Sequence, residues 1–127
     1  MEDFSSINWL AVILGTIVSF LVGWLWYSPK LFGVKWAEGS RVSLDRADKM
    51  PAFAMVSQLI ALFLLSLVIG LTAQVNALFT AILSILAVAF FTASMGGFVQ
   101  KSNYAITVDF FYIIASGAIM IGVQGIL

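Results

Sequence analysis

The stretch AFAMVSQLIALFLLSLVIGLT, residues 52–72, decides the fold class of this chain. It contains no charged side chain and is close to the roughly 20 residues that an α-helix needs to cross a bilayer. Apolar and polar residues do not alternate along it, as they would in a strand of a membrane barrel. Because a helix satisfies its own backbone hydrogen bonds in lipid, the stretch predicts a transmembrane helix.

Three further stretches have the same character, at about residues 7–27, 77–99 and 104–126. The chain has 127 residues, of which 62% are hydrophobic and 9% charged, whereas about a quarter of the residues in a soluble domain are charged. Its mean hydropathy is +1.10. We therefore expect an all-α polytopic membrane protein, in which residues 1–127 form a single domain with four transmembrane helices in a bundle.

The basic residues lie on one side of this predicted topology. One basic residue, Lys101, follows the third stretch, and the others lie between the first and second stretches: Lys30, Lys35, Arg41, Arg46 and Lys49. The N-terminal segment, the turn Gln74–Asn76 and the C-terminus have no Lys or Arg. Since basic residues in short loops stay in the cytoplasm, we expect both termini outside it and the long loop inside.

The composition also limits the chemistry. The chain has no Cys and no His, which removes thiol chemistry, imidazole catalysis and the usual zinc and haem ligands. The formal net charge is zero, so nothing indicates a nucleic-acid partner. We expect no metal and no cofactor, and membrane lipids as partners.

The residues that follow the first stretch predict a segment lying at the membrane interface. Trp24, Trp26 and Tyr27 favour the headgroup level, Pro29 cannot continue the helix ladder, and Trp36 follows among interleaved lysines. Two interpretations stay open for these rings. They anchor the segment in the interface, or they form a platform for a lipid headgroup or a substrate.

Small residues recur at helical spacing and predict close helix packing. The first stretch has Ala11, Gly15, Ser19 and Gly23 at four-residue intervals, and the fourth has Ala118 and Gly122. Such faces let helix backbones approach each other in lipid. They can pack within one bundle or between copies of the chain, so a homo-oligomer or a larger membrane complex is expected.

Asp109 is the ionisable residue that lies inside a predicted span. At about 1.5 Å rise per residue from Tyr104, it lies roughly 7 to 8 Å below the cytoplasmic edge. Tyr112 and Ser116 follow it on the same helix face, and Gln58 and Ser57 enter the second span at a similar depth. Carboxylates inside a membrane are costly and are associated with function.

Two interpretations of this polar group remain open. In the first, a vestibule open to the cytoplasm, with Lys101, Tyr104 and Tyr27 at its mouth, lets Asp109 bind a proton, a cation or a cationic substrate. In the second, Asp109 is a structural clamp, hydrogen-bonded by Tyr, Gln and Lys101, that holds the second and fourth spans in register. A single carboxylate provides no acid and base pair, so we expect no enzymatic activity.

Three motifs resemble one family. They are NWLAV at residues 8–12, WYSP followed by LFG and Trp36 in residues 26–36, and Asp109 with Tyr112 and Gly117 in the last span. Together they resemble the bacterial membrane-protein family catalogued as domain of unknown function 1761, over nearly the whole chain. The resemblance implies a small four-span protein of the bacterial cytoplasmic (inner) membrane and implies no activity.

Two functions from different classes follow as expectations. The first is a small transporter or channel-like protein that acts as a homo-oligomer, with a site around Asp109 that opens to the cytoplasm. The second is a non-catalytic structural or accessory subunit of a membrane complex, or a lipid-interacting protein. Loss of a proton- or cation-linked flux on changing Asp109 would separate the two.

Overall fold

The computed structural model describes residues 4–42 and 52–127, and in these ranges the chain is entirely helical. A 3-10 turn at Phe4–Ser6 precedes five α-helices: α1 (Trp9–Trp26), α2 (Gly33–Ser40), α3 (Ala52–Gln74), α4 (Leu78–Phe98) and α5 (Asn103–Ile126). Arg46 and Lys49 of the long loop lie outside the described residues.

Four of these helices, α1, α3, α4 and α5, are long and apolar enough to cross a membrane. Their bounds agree with the predicted spans to within two residues at each end. The expected all-α, four-span membrane fold is thus confirmed, and the chain is a multi-pass membrane protein. The segment expected between the first and second spans contains the short helix α2.

Local sequence explains where the helices begin and end. The side chains of Asn8 and Ser102 accept hydrogen bonds from the Ala11 and Ala105 amides, each at 3.1 Å, and so cap α1 and α5. After α4, Gln100 adopts the left-handed conformation with φ 61°, and the Lys101 amide donates to the Gly96 carbonyl. This turn sends the chain directly back into α5.

The four long helices pack with α3 and α5 between α1 and α4. The apolar core lies where α3, α4 and α5 meet, and contains Leu62, Leu65, Ile69, Ala81, Ile85 and Met120. α5 contacts all of the other helices, α2 included. Asp109 therefore lies on the helix that every other part of the bundle reaches.

The small-residue stripe of α1 faces the inside of the bundle. Ala11, Gly15 and Ser19 are buried, and a Cβ at Gly15 would lie 2.9 Å from the Ser66 hydroxyl oxygen and 3.3 Å from Met120 Cγ. Gly23 is half-buried against the Tyr112 hydroxyl. This stripe lets α1 approach α3 and α5 closely.

The corresponding residues of α5 have the opposite placement. Ala118 and Gly122 are exposed, and a Cβ at Gly122 would meet no atom within 4 Å in the part of the chain that the structure describes. These two residues therefore take no part in packing within the described bundle and leave a smooth face on its surface.

Candidate functional site

The chain turns sharply after α1 so that α2 lies over the start of α5. Pro29 lies in the turn, and the Gly33 amide donates to the Ser28 carbonyl at 2.9 Å. A Cβ at Gly33 would come within 2.7 Å of the Ser28 backbone, so only glycine fits this close approach. At the other end of α2, the Ser102 amide donates to the Gly39 carbonyl at 3.1 Å. Backbone hydrogen bonds thus fix both ends of α2.

Asp109 accepts hydrogen bonds from three side chains of this chain. Oδ1 accepts from the Tyr27 hydroxyl at 2.6 Å and from the Trp36 Nε1 at 2.8 Å. Oδ2 forms an ion pair with the Lys101 Nζ at 2.8 Å. Because Tyr27 follows α1, Trp36 lies on α2 and Lys101 precedes α5, these four residues, the Asp109 cluster, join three separate segments.

The aromatic rings of the cluster pack against one another. The Tyr27 ring contacts the Trp36 ring edge to face, with centroids 4.8 Å apart, and also the Tyr112 ring, with centroids 5.5 Å apart. The Lys101 ammonium also lies 5.5 Å from the centre of the Trp36 ring. These contacts fix the rings from several directions and so orient the hydrogen-bond donors toward Asp109.

The electrostatics of the cluster favour a charged, internally neutralised pair. Asp109 is only 7% exposed, and a buried carboxylate is tolerated where it is paired and hydrogen-bonded. Burial, followed by the negative charge of Asp109, raises the pKa of Tyr27, which lies just beyond the end of α1. Tyr27 thus stays a neutral donor. Lys101 supplies the compensating charge.

The family model described as Protein of unknown function (DUF1761) matches residues 10–125. The chain belongs to the DUF1761 family. This confirms the family expected from the motifs, two of which contribute the members of the Asp109 cluster other than Lys101. No curated protein and no solved structure matches the DUF1761 chain.

In the DUF1761 chain, the other residues expected near Asp109 lie deeper in the bundle or apart from it. The Tyr112 hydroxyl donates to the Ser19 carbonyl at 2.7 Å, not to Asp109. Gln58 and Ser116 neighbour that hydroxyl. The Ser57 hydroxyl donates to the Phe53 carbonyl one turn earlier in α3.

The aromatic residues expected at the interface of the DUF1761 chain divide into two groups. Trp24 is 65% exposed and points away from the bundle. Trp26 is half-buried and its Nε1 donates to the Val108 carbonyl at 3.1 Å, while Tyr27 and Trp36 donate to Asp109. Sequence reasoning placed Tyr27 at the mouth of the site but missed Trp36 as a donor. The sequence carries no signal for this contact, because Trp36 and Asp109 lie 73 residues apart and meet only through the fold.

The arrangement limits the chemistry available to the DUF1761 chain. No group of three metal-ligating side chains occurs among residues 4–42 and 52–127. Asp109 uses both oxygens for partners within its own chain. Because both carboxylate oxygens are engaged by side chains of other segments, the cluster is suited to holding those segments together.

Proposed function

We propose that this DUF1761 chain is a non-catalytic accessory membrane protein that interacts with lipid, and that its Asp109 cluster holds α2 against the bundle. The observation that carries the proposal is the set of donors on Asp109: Tyr27, Trp36 and Lys101 come from different segments of the chain and occupy both oxygens. A buried carboxylate with fixed partners stabilises one arrangement of those segments. α2 thereby acquires a defined position.

The surface of α2 and of the turn before it supports a role at lipid. Leu31 and Val34 are 48% and 49% exposed, beside the exposed Lys30 and Lys35. Apolar side chains next to lysines are typical of segments that lie in the headgroup region, where the lysines meet phosphate and the apolar groups meet acyl chains. Holding such a segment in place presents it to the membrane.

Hydrogen exchange in lipid nanodiscs tests the proposal. Asp109→Ala should increase exchange of the amides in residues 33–40 at least about tenfold, since losing ~1.4 kcal/mol multiplies a local opening equilibrium by ten. Ser66→Ala is the matched control, because the Ser66 hydroxyl is equally buried but donates to the Val12 carbonyl, away from α2. Equal protection of α2 in the native chain and Asp109→Ala would refute the proposal.

A second candidate, a small transporter or channel-like protein, is favoured by the polar groups that continue inward from Asp109. The Tyr112 hydroxyl reaches the Ser19 carbonyl, and the side chains of Ser19 and Ser116 are fully buried. Buried hydroxyls of this kind can relay a proton or line a path. This candidate keeps Asp109 as the entrance to the path.

Proteoliposomes separate the two candidates. Transport predicts a proton or monovalent cation flux in the native chain that Asp109→Asn abolishes while α2 keeps its native exchange protection. The accessory function predicts no flux above that of protein-free vesicles in either protein. A flux that Asp109→Asn leaves unchanged would remove Asp109 from the path.

We also propose the orientation and the partner. The basic residues that the structure describes lie at one end of the bundle, on or beside α2 and the turn between α4 and α5: Lys30, Lys35, Arg41 and Lys101. The positive-inside rule assigns that end to the cytoplasm. Both termini then lie outside, in the cytoplasmic (inner) membrane of a bacterium. The exposed face at Ala118 and Gly122 offers a surface for a second copy or for a larger membrane complex.

A further inference from the structure

A groove opens on the bundle surface beside the Asp109 cluster, where the turn after α1 meets the first two turns of α5. Its volume is about 320 Å³, and it is lined by Trp26, Phe32, Tyr104, Thr107, Val108 and Phe111. Two polar groups of the lining are already used. The Val108 carbonyl accepts from Trp26, and the Thr107 hydroxyl donates to the Asn103 carbonyl. The groove therefore suits hydrocarbon.

A positive charge lies at the rim of this groove. The Lys35 ammonium lies 5.5 Å from the centre of the Tyr104 ring, and Tyr104 is one of the lining residues. Lys35 is exposed and forms no ion pair with any residue in the described parts of the chain, Glu38 on the same helix included. None of the described residues that line the groove is a carboxylate. The charge of Lys35 is thus available to an anion outside the protein.

We propose that this groove binds an acyl chain of an anionic phospholipid and that Lys35 contacts the lipid phosphate. The inference rests on the proposed function, because it needs α2 to be held in place, and it names the lipid class. Trp26 ends one span and Tyr104 begins another, so the rim lies at headgroup level. From Tyr104 to Phe111 the groove follows α5 for roughly 10 Å, toward the hydrocarbon.

Binding to the purified full-length chain tests this site. Native mass spectrometry in detergent micelles, with phosphatidylglycerol or phosphatidylcholine of identical acyl chains added stepwise, gives the affinity for each lipid. The native chain should bind phosphatidylglycerol about fivefold more tightly, the effect expected of one lysine near an anionic headgroup. Equal affinities would overturn the proposal.

Two variants separate the contribution of the charge from that of the groove. Lys35→Gln should abolish the preference for phosphatidylglycerol. Lys30→Gln removes the same charge from an exposed lysine that, unlike Lys35, does not lie over the Tyr104 ring, and it should preserve the preference. Thr107→Trp fills the groove from an exposed position and should weaken binding of both lipids. Equal effects of the two lysine variants, or unchanged binding in Thr107→Trp, would contradict the assignment.

The outcome is distinguishable from failure of the proposed function. If Asp109→Ala releases α2 but the native chain shows no preference for phosphatidylglycerol, the lipid site alone is wrong. If Asp109→Ala leaves α2 protected, the proposed function is wrong whatever the lipid result. Loss of the phosphatidylglycerol preference in Asp109→Ala, together with release of α2, supports both.

Discussion

The partners of Asp109 stabilise its buried charge, so removing one of them should lower the stability of the folded chain. Lys101→Met leaves the carboxylate without a cation and should lower the free energy of unfolding by about 3 kcal/mol. This value is at the lower end of the range for breaking a buried ion pair, because the Lys101 side chain is still 24% exposed to solvent. Equilibrium unfolding in mixed micelles of dodecylmaltoside and sodium dodecyl sulfate measures the loss.

Two further variants control this prediction at the residue scale. Lys30→Met removes an exposed lysine without an ion pair among the described residues and should stay within about 0.5 kcal/mol of the native chain. Adding Asp109→Asn to Lys101→Met should recover part of the lost stability, because the unpaired charge disappears. A Lys101→Met chain as stable as Lys30→Met would mean that the pair contributes nothing.

Among the elements, α2 depends on close packing against α5 as well as on Asp109. A Cβ at Gly39 would lie 2.9 Å from Ser102 Cβ and 3.0 Å from Ala105 Cβ. Gly39→Leu should therefore release α2, with an overpacking cost of about 1–3 kcal/mol, and leave the four spans folded. Hydrogen exchange should increase in residues 33–40 and at the Ser102 amide, which donates to Gly39.

Gly97→Leu is the matched control for this change, because a Cβ at Gly97 meets no atom of the described residues within 4 Å. It should leave exchange in residues 33–40 as in the native chain. If Gly39→Leu behaves like Gly97→Leu, α2 does not depend on this contact. If Gly39→Leu instead raises exchange throughout the four spans, α2 is part of the bundle's cooperative unit rather than a segment docked on it.

The same element shows how far the sequence alone could predict the site. The spans followed from long apolar runs, and Asp109 stood out as a lone acid within one of them. The donors Tyr27 and Trp36 depend on the path of the chain after Pro29, which brings α2 back over α5. That path is set by close backbone approaches at Gly33 and Gly39, and such tertiary contacts leave no periodic signal.

At the scale of the whole molecule, the orientation in the membrane is the first property to measure. The chain has no Cys, so single cysteines report cleanly. A cysteine at Ser5 or Val75 should react with an impermeant thiol reagent in intact cells, and one at the exposed Glu38 should react only after the cells are permeabilised. The reverse pattern would place α2 outside the cytoplasm.

Self-association should use the face of α5 that the bundle leaves open. α1 already buries its small residues, whereas Ala118 and Gly122 are exposed and allow another backbone to approach closely. Gly122→Leu should therefore lower energy transfer between labelled copies in vesicles by several-fold at a fixed protein-to-lipid ratio. Gly97→Leu, the same change at another open position on α4, should preserve it.

Energy transfer that Gly97→Leu reduces and Gly122→Leu does not would move the interface to α4. Native energy transfer no higher than that of randomly distributed monomers would make the chain monomeric and assign the open face to lipid or to a different subunit.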